Sequence, residues 1–285
     1  MSHTHRVDKL LDKFKAVLRD FGIRSGDSLF VHSGYDHISK VFALSPIEVN
    51  KALVESVGKD GNLFMPSFPF NHGKHWEYVQ STRSFDVKRS PCRVGILCEI
   101  FRRQPDVARS LHPFLSVAGW GADVRGMLDG SELCQRPFGS DSLFGRLVSQ
   151  GVTLLGLGCN PNTNVFIHIL DDCLESEMPI QVYEDQVYEF EILDSGEKVC
   201  NAKTLLYPRE IAMLQQPSKL ASLLPNPEKY QIVDLEGTTF YKVDVKALIE
   251  KGKVMGRVEL EKSDPHMPWH NQPLSSFRTK EQGAP

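Results

Sequence analysis

The stretch from residue 28 to residue 70 restricts the possible folds of this chain more than any other. It opens on a short apolar run, SLFVHSGY, passes through SPIEVNKALVESVG, and returns to a second apolar run, LFMPSFPF. The middle part starts like a helix: Pro46 stands at the first turn, Ser45 precedes it, and Glu48 follows Ser45 by three residues, which makes a capping box. KDGN then turns the chain into the second run, which prolines end. Strand, helix, strand is the βαβ pattern of a parallel sheet.

The flanking sequence extends the pattern. Val7, Leu10, Leu11, Phe14, Val17, Leu18 and Phe21 recur at helical spacing before GIRSGD breaks the run. Residues 71–90 mix aromatics and charges without a period and read as a long surface loop, a kind of segment that is usually functional or disordered. Pro91 opens a helix, PCRVGILCEIFRRQ; VARSLHPFLSVAGWG is extended with an interruption at His112-Pro113; SDSLFGRLVSQG is a helix ending at Gly151. VTLLGLG is the clearest buried strand, and TNVFIHILDDCLE is the helix after it. Past Met178, IQVYEDQVYEFEILDSGEKV alternates around Ser195-Gly196, as an antiparallel hairpin does. The segment from LPNPEKY to VELEK reads as strand, glycine turn, strand, helix and a final strand. The expected organisation is one α/β domain over residues 1–262, with a loosely packed arm over 263–285. The domain has a central, mostly parallel sheet with helices on both faces and an antiparallel hairpin region in its C-terminal third. His3, His5, His266 and His270 are expected to be solvated.

Composition narrows the function. A net charge of −3 over 285 residues gives neither a basic footprint for nucleic acid nor a strong acidic field. The six cysteines form no CxxC pair, the first 18 residues have no secretory apolar core, and no apolar run approaches a membrane span of about 18 residues. The expectation is a cytoplasmic protein with reduced thiols and neither nucleic acid nor membrane as partner.

In open α/β sheets, ligands bind beyond the carboxyl ends of strands. Three histidines fall near such ends: His32, beside Ser33 in FVHSG; His112 in SLHPF; and His168, after LGLGC. Together they could form an acid–base site, although a histidine at a turn commonly satisfies a backbone carbonyl. No H-x₃-H or C-x₂-C spacing supports a metal site, so none is expected. GxxxxGK[ST], GxGxxG and GxSxG are all absent, which disfavours a P-loop, a dinucleotide fold and a serine nucleophile elbow.

Five stretches, in order, resemble the aminoglycoside 3-N-acetyltransferase (antibiotic N-acetyltransferase) family: DSLFVHSGY (27–35), GNLFMPSFPF (61–70), SLHPFLSVAGWG (110–121), PFGSDSLFGRL (137–147) and VTLLGLGCNPNTNVFIHILDD (152–172). The resemblance covers about residues 8–175, and more weakly LLYPRE (205–210). It implies an α/β sandwich that moves an acetyl group from acetyl-CoA, as co-substrate, to the amine of a small-molecule acceptor, an aminoglycoside or an amino sugar. Surface-polysaccharide members are the nearer likeness in YEDQVYEFEI and LLYPRE.

The resemblance places the general base at His168, an orienting acid at Asp171 and a later acid at Glu210. A base is needed because an amine acts as a nucleophile only once it is free of its extra proton. The strand-end groups His32, Ser33, Gly34, Ser67 and His112 are candidates for holding the pantetheine arm. Ser140, Ser142 and Arg146, at a helix start, are candidates for the pyrophosphate. His72, His75, Trp76 and Tyr78 are candidates for stacking on the acceptor, with Asp172 nearby. One departure stands out: Val165 occupies the place where the family often has Thr, which leaves the oxyanion donor unassigned; either Thr163 or Asn164 substitutes from a shifted turn or the role is lost. The competing readings are a catalytically silent homologue and a hydrolase using Ser33.

Overall fold

The computed structural model describes residues 3–71, 73–213 and 215–276. Helix α1 (His3–Asp20) buries Phe14 and Leu18 at the expected spacing. Then come β1 (Ser28–Ser33), α2 (Tyr35–Phe42), α3 (Pro46–Val57) and β2 (Asn62–Pro66). The capping box of α3 closes in both directions: Ser45 Oγ accepts from the Glu48 N–H at 3.3 Å, and Glu48 Oε2 accepts from the Ser45 N–H at 2.6 Å. The chain continues through α4 (His75–Ser81), β3 (Ser84–Asp86), α5 (Ile96–Phe101), β4 (Ala108–Arg109), β5 (Val117–Gly121), α6 (Val124–Leu128) and α7 (Leu143–Ser149). Next are β6 (Thr153–Leu157), α8 (His168–Leu174), the hairpin of β7 (Val187–Asp194) and β8 (Glu197–Leu205), α9 (Arg209–Met213) and α10 (Pro217–Ala221). A second hairpin, β9 (Tyr230–Leu235) and β10 (Thr238–Asp244), leads into α11 (Val245–Leu260).

The main sheet has seven strands in the order β4-β5-β2-β1-β6-β10-β9. It is α/β as expected, but mixed rather than mostly parallel. Only the β2–β1 and β1–β6 pairings are parallel; β5 with β2, β4 with β5, β10 with β6 and β9 with β10 all pair antiparallel. On the β6 side the cause is the second hairpin. It does not stand apart but docks on β6, where it supplies partners to a strand edge that would otherwise be open. The first hairpin pairs with β3 to make a separate three-stranded sheet. Its turn residues Ser195 and Gly196 both have positive φ (58° and 97°), which suits a two-residue turn between twisted strands.

Alternation along the strands splits the core in two. Leu29, Val31, Leu63, Met65, Leu155 and Leu157 face the layer of α1, α2, α3 and α5. Phe30, Phe64, Leu154 and Tyr241 face α7, α8, α11 and the small sheet. With both faces covered, β1 and β2 read as unbroken apolar runs.

Three expectations are revised. Residues 71–90 contain α4 and β3 rather than one long loop. The helix expected from Pro91 starts only at Ile96, because Gly95 sits at φ 152°. The expected final strand is the second half of α11: exposed Val254 and Val258 mimic alternation, while Gly252 and Gly256 on the buried side let α11 approach Leu170, Leu174 and Trp269. The described part of the C-terminal arm is also packed, with Met267, Trp269, His270 and Leu274 buried. No helix among the described residues is long and apolar enough to cross a membrane.

Candidate active site

A cavity of about 580 Å³ opens at the carboxyl ends of the three parallel strands. His32 and Ser33 at the end of β1, Pro66 and Phe68 at the end of β2, and Cys159 just past β6 all line it. Two glycines bring these ends together. A Cβ on Gly34 would lie 2.3 Å from the Gly158 carbonyl oxygen, and Gly158 itself turns the chain at φ 66°. Asn160 and Asn164 then cap the short turns that follow, accepting from the N–H groups of Asn162 and Phe166. This capped passage sets His168 at the start of α8, on the cavity wall.

His168 is wedged between aromatic rings, with centroids 4.7 Å from Phe138 and 4.5 Å from Tyr207. Its Nδ1 is buried without a hydrogen-bond partner. Burial pushes its pKa down to about 4, although the Asp171 charge pulls in the opposite direction. The imidazole is therefore neutral at pH 7, with a lone pair available.

Asp171 is close enough for its field to be felt, but its carboxylate does not orient His168 by hydrogen bonding. It is fully buried and accepts from Tyr207 Oη, from Gln215 Nε2 at 2.6 Å, from Trp269 Nε1 at 2.8 Å and from His270 Nε2 at 3.1 Å. Burial alone would raise its pKa, but attraction to His270 and the donated hydrogen bonds hold it below the usual value. Asp171 thus reaches His168 through Tyr207, whose hydroxyl it binds and whose ring packs on the imidazole. Expected to be solvated, His270 is instead a buried partner in this cluster.

The other candidates separate sharply. Glu210 is exposed, is not part of the cavity wall, and acts electrostatically on Glu184. Asp172 is held by Arg136 Nε at 2.9 Å and Tyr183 Oη at 2.8 Å, away from the wall. The helix start expected to take a pyrophosphate is occupied by its own contacts. Ser142 caps Gly145, Ser140 binds Asp141, and Arg146 donates to the carbonyls of Met127, Asp129 and Asp141. His112 is a structural histidine: its Nδ1 accepts from the N–H groups of Phe114 and Leu115. Ser67, with a buried and unpartnered Oγ, and Gly34 lie behind the wall. Tyr78 donates to the Pro113 carbonyl and is half-buried off the cavity wall. His75 and Trp76 do line the cavity, and the Trp76 indole N–H donates to the Tyr207 carbonyl at 2.9 Å. His72 lies outside the described residues. His32 is buried, its pKa lowered to about 4 by burial, with Nδ1 3.4 Å from Thr163 Oγ1. Ser33 Oγ meets only Cys98 Sγ, at 4.0 Å, among the described residues, so no base activates it as a hydrolase would require.

Several wall residues carried no clear sequence signal. Phe68, Phe70, Phe114 and Phe138 build an aromatic enclosure, and Tyr207, Arg209 and Gln215 complete it from the segment after β8. Tyr207 and Arg209 fall within LLYPRE, the stretch that also holds Glu210, and it is these two that line the cavity.

A family model for aminoglycoside 3-N-acetyltransferase matches residues 30–232. The SPbeta prophage-derived aminoglycoside N(3')-acetyltransferase-like protein YokD of Bacillus subtilis (strain 168) is 26% identical over 169 residues, covering 54% of this chain and 61% of that protein. Aminoglycoside N(3)-acetyltransferase IV of Salmonella sp. is 29% identical over 154 residues, covering 53% and 54%. The matched segments thus span less than two thirds of either relative. Among solved structures, apo AAC(3)-IVa superposes with a TM-score of 0.66 at 22% identity (87% of this chain, 88% of that one). AAC-VIa bound to sisomicin gives 0.67 at 21% (90% and 98%), and AAC-IIIb with CoASH gives 0.65 at 18% (90% and 98%). These structures share the fold, and the family match runs through every strand of the cavity floor: the chain belongs to the aminoglycoside 3-N-acetyltransferase family.

Proposed function

We propose that this protein transfers the acetyl group of acetyl-CoA to an amine of an aminoglycoside or amino sugar, with His168 as general base. The observation that carries the reading is a neutral imidazole on the wall of an aromatic-lined cavity at the carboxyl ends of β1, β2 and β6. Relatives whose structures hold CoASH, sisomicin or a gentamicin support it, the last in a histidine-to-alanine variant. The residues suit a thioester arm: Phe68, Phe114 and Phe138 exclude water, and the buried Nε2 of His32 is an unpaired polar atom on the same wall.

With Nδ1 buried, His168 Nε2 is the ring nitrogen left to meet the acceptor. A base with so low a pKa does not strip an ammonium ion, so the acceptor amine gives its extra proton to solvent and enters as the free base. The imidazole takes the proton once the attacking nitrogen has begun to bond the carbonyl carbon and turned acidic, and it returns the proton to the leaving thiolate. Asp171, working through space, stabilises the imidazolium that forms. Asn164 caps through its Oδ1, which leaves its Nδ2 donors, but Thr163 Oγ1 already donates to the Asn160 carbonyl and the Val165 side chain on the wall has no donor to offer the developing oxyanion. That observation favours a second reading, a silent homologue that binds without turnover.

Thiol release from acetyl-CoA with a panel of aminoglycosides and amino sugars separates the two. The expected result is turnover, reduced about 10²-fold or more in a folded His168→Ala protein. Unchanged turnover in that variant removes the base. Stoichiometric binding without free CoA favours the silent homologue.

A further inference from the structure

The cavity that fits an acetyl-thioester arm has an unexpected charge. Among the described residues lining it there is no aspartate or glutamate. The nearby acids lie off the wall: Glu210, next to Arg209 in the chain, is exposed and acts on Glu184, and the others have partners. Asp171 is buried under four donors, Asp172 and Glu175 bind Arg136, Glu177 binds Arg257, and Asp185 accepts from Gln181. Of the described lining residues, Arg209 is the one with a permanent charge, and that charge is positive. Its guanidinium carbon lies 5.7 Å from the centre of the Trp76 ring, and no hydrogen bond from it to a carboxylate or carbonyl is found among the described residues. Arg102, Arg109, Arg136 and Arg146, by contrast, all donate to carboxylates or carbonyls.

A guanidinium lying over an indole is held in place while its edge donors stay free, the arrangement that recognises a carboxylate or phosphate. Arg209 is two residues from Tyr207, so their Cα atoms are at most about 7 Å apart, and Tyr207 packs on His168. The cation therefore shares the cavity wall with the base. We assign an anion at Arg209 to the acceptor, whose amine has to reach His168 on the same wall; the acetyl-CoA KM of an Arg209 variant separates this from a contact to the CoA phosphates. A polycationic acceptor, in turn, would find no carboxylate for its additional ammonium groups and a like charge at Arg209.

We propose that the acceptor is a singly aminated sugar bearing a phosphate or carboxylate, that Arg209 binds this anion, and that polycationic aminoglycosides are poor substrates. The proposal rests on the acetyl-transfer reading above and names its substrate class.

The test compares glucosamine 1-phosphate, glucosamine and sisomicin, by thiol release from acetyl-CoA and by calorimetric binding in the presence of CoA. It uses the wild type and Arg209→Glu, an exposed position whose substitution spares the core. The expected kcat/KM is about 10-fold or more higher for the phosphorylated sugar than for the neutral one, with sisomicin below both. Arg209→Glu should close that gap while the KM for acetyl-CoA stays within about two-fold. Equal use of the two sugars, or sisomicin as the best acceptor, overturns the proposal. So does a variant whose acetyl-CoA KM rises while the acceptor ratio persists, since the guanidinium would then serve the cofactor phosphates. If no amine releases thiol but binding keeps the expected order, the transferase reading fails and the ligand class stands; a reversed binding order sinks the class itself.

Discussion

Burial in the protein keeps both His112 and His168 neutral, but His112 is fully buried against backbone and His168 is half-buried on the cavity wall. Nδ1 of His112 accepts two backbone N–H groups, which a protonated ring could not do, and its pKa is lowered to about 3 by burial. His32 and His168 are lowered to about 4 by the same cause. In the unfolded chain each would titrate near 6.5. Between pH 6.5 and about 4 the unfolded state therefore binds more protons, and stability rises with pH across that window and is lost as pH falls through it. Each unit of pH below 6.5 costs up to about 1.4 kcal/mol per histidine. Urea midpoints at pH 7 and pH 5 should show the drop, and His112→Asn, whose side-chain oxygen can accept the same N–H groups, should reduce its slope by about one proton. An unchanged slope would mean His112 is protonated in the folded protein. The three histidines were visible in the sequence as strand-end residues, but their uses were not. Which nitrogen meets a backbone amide and which meets a cavity depends on the loop around it.

At the scale of elements, the ends of the central strands were legible because their residues have few alternatives. Gly156 shows the constraint inside a strand. A Cβ there would lie 1.9 Å from the Tyr241 ring on the neighbouring β10, so β6 can carry only hydrogen at that point. Gly156→Ala should destabilise by about 1–3 kcal/mol through overpacking. Combining it with Tyr241→Leu should recover part of the loss, a coupling measured by chemical denaturation. Additive losses would show that the clash relaxes by another route. The capping box, the Ser195-Gly196 turn and the α1 stripe could be read locally because each is satisfied within a few residues. The start of α5 and the length of α11 could not, because Gly95 and the Gly252–Gly256 face have meaning only against the elements they meet.

Across the whole molecule, the segment after α11 ties the end of the chain to the start of α8. Trp269 and His270 donate to Asp171 nearly a hundred positions earlier, and Asp171 binds the Tyr207 that packs on the base. Trp269→Phe keeps an aromatic filler but removes one donor from a buried carboxylate. It should cost about 1–3 kcal/mol by urea denaturation and lower thiol release as well. A change within about 0.5 kcal/mol would mean the remaining donors suffice. The tail's polar composition hid this role, since one buried tryptophan outweighs many solvated neighbours in energy and not in count. The sequence by itself determined the βαβ start, the hairpins, the strand-end location of a ligand cavity and the histidine at its wall, because periodicity, caps and turn residues act over short range. Only the tertiary structure decided that no described aspartate or glutamate lines the cavity, what Asp171 binds and that Arg209 stands on the wall. Those outcomes depend on donors brought from distant segments, and a carboxylate takes whichever partners the fold delivers to it.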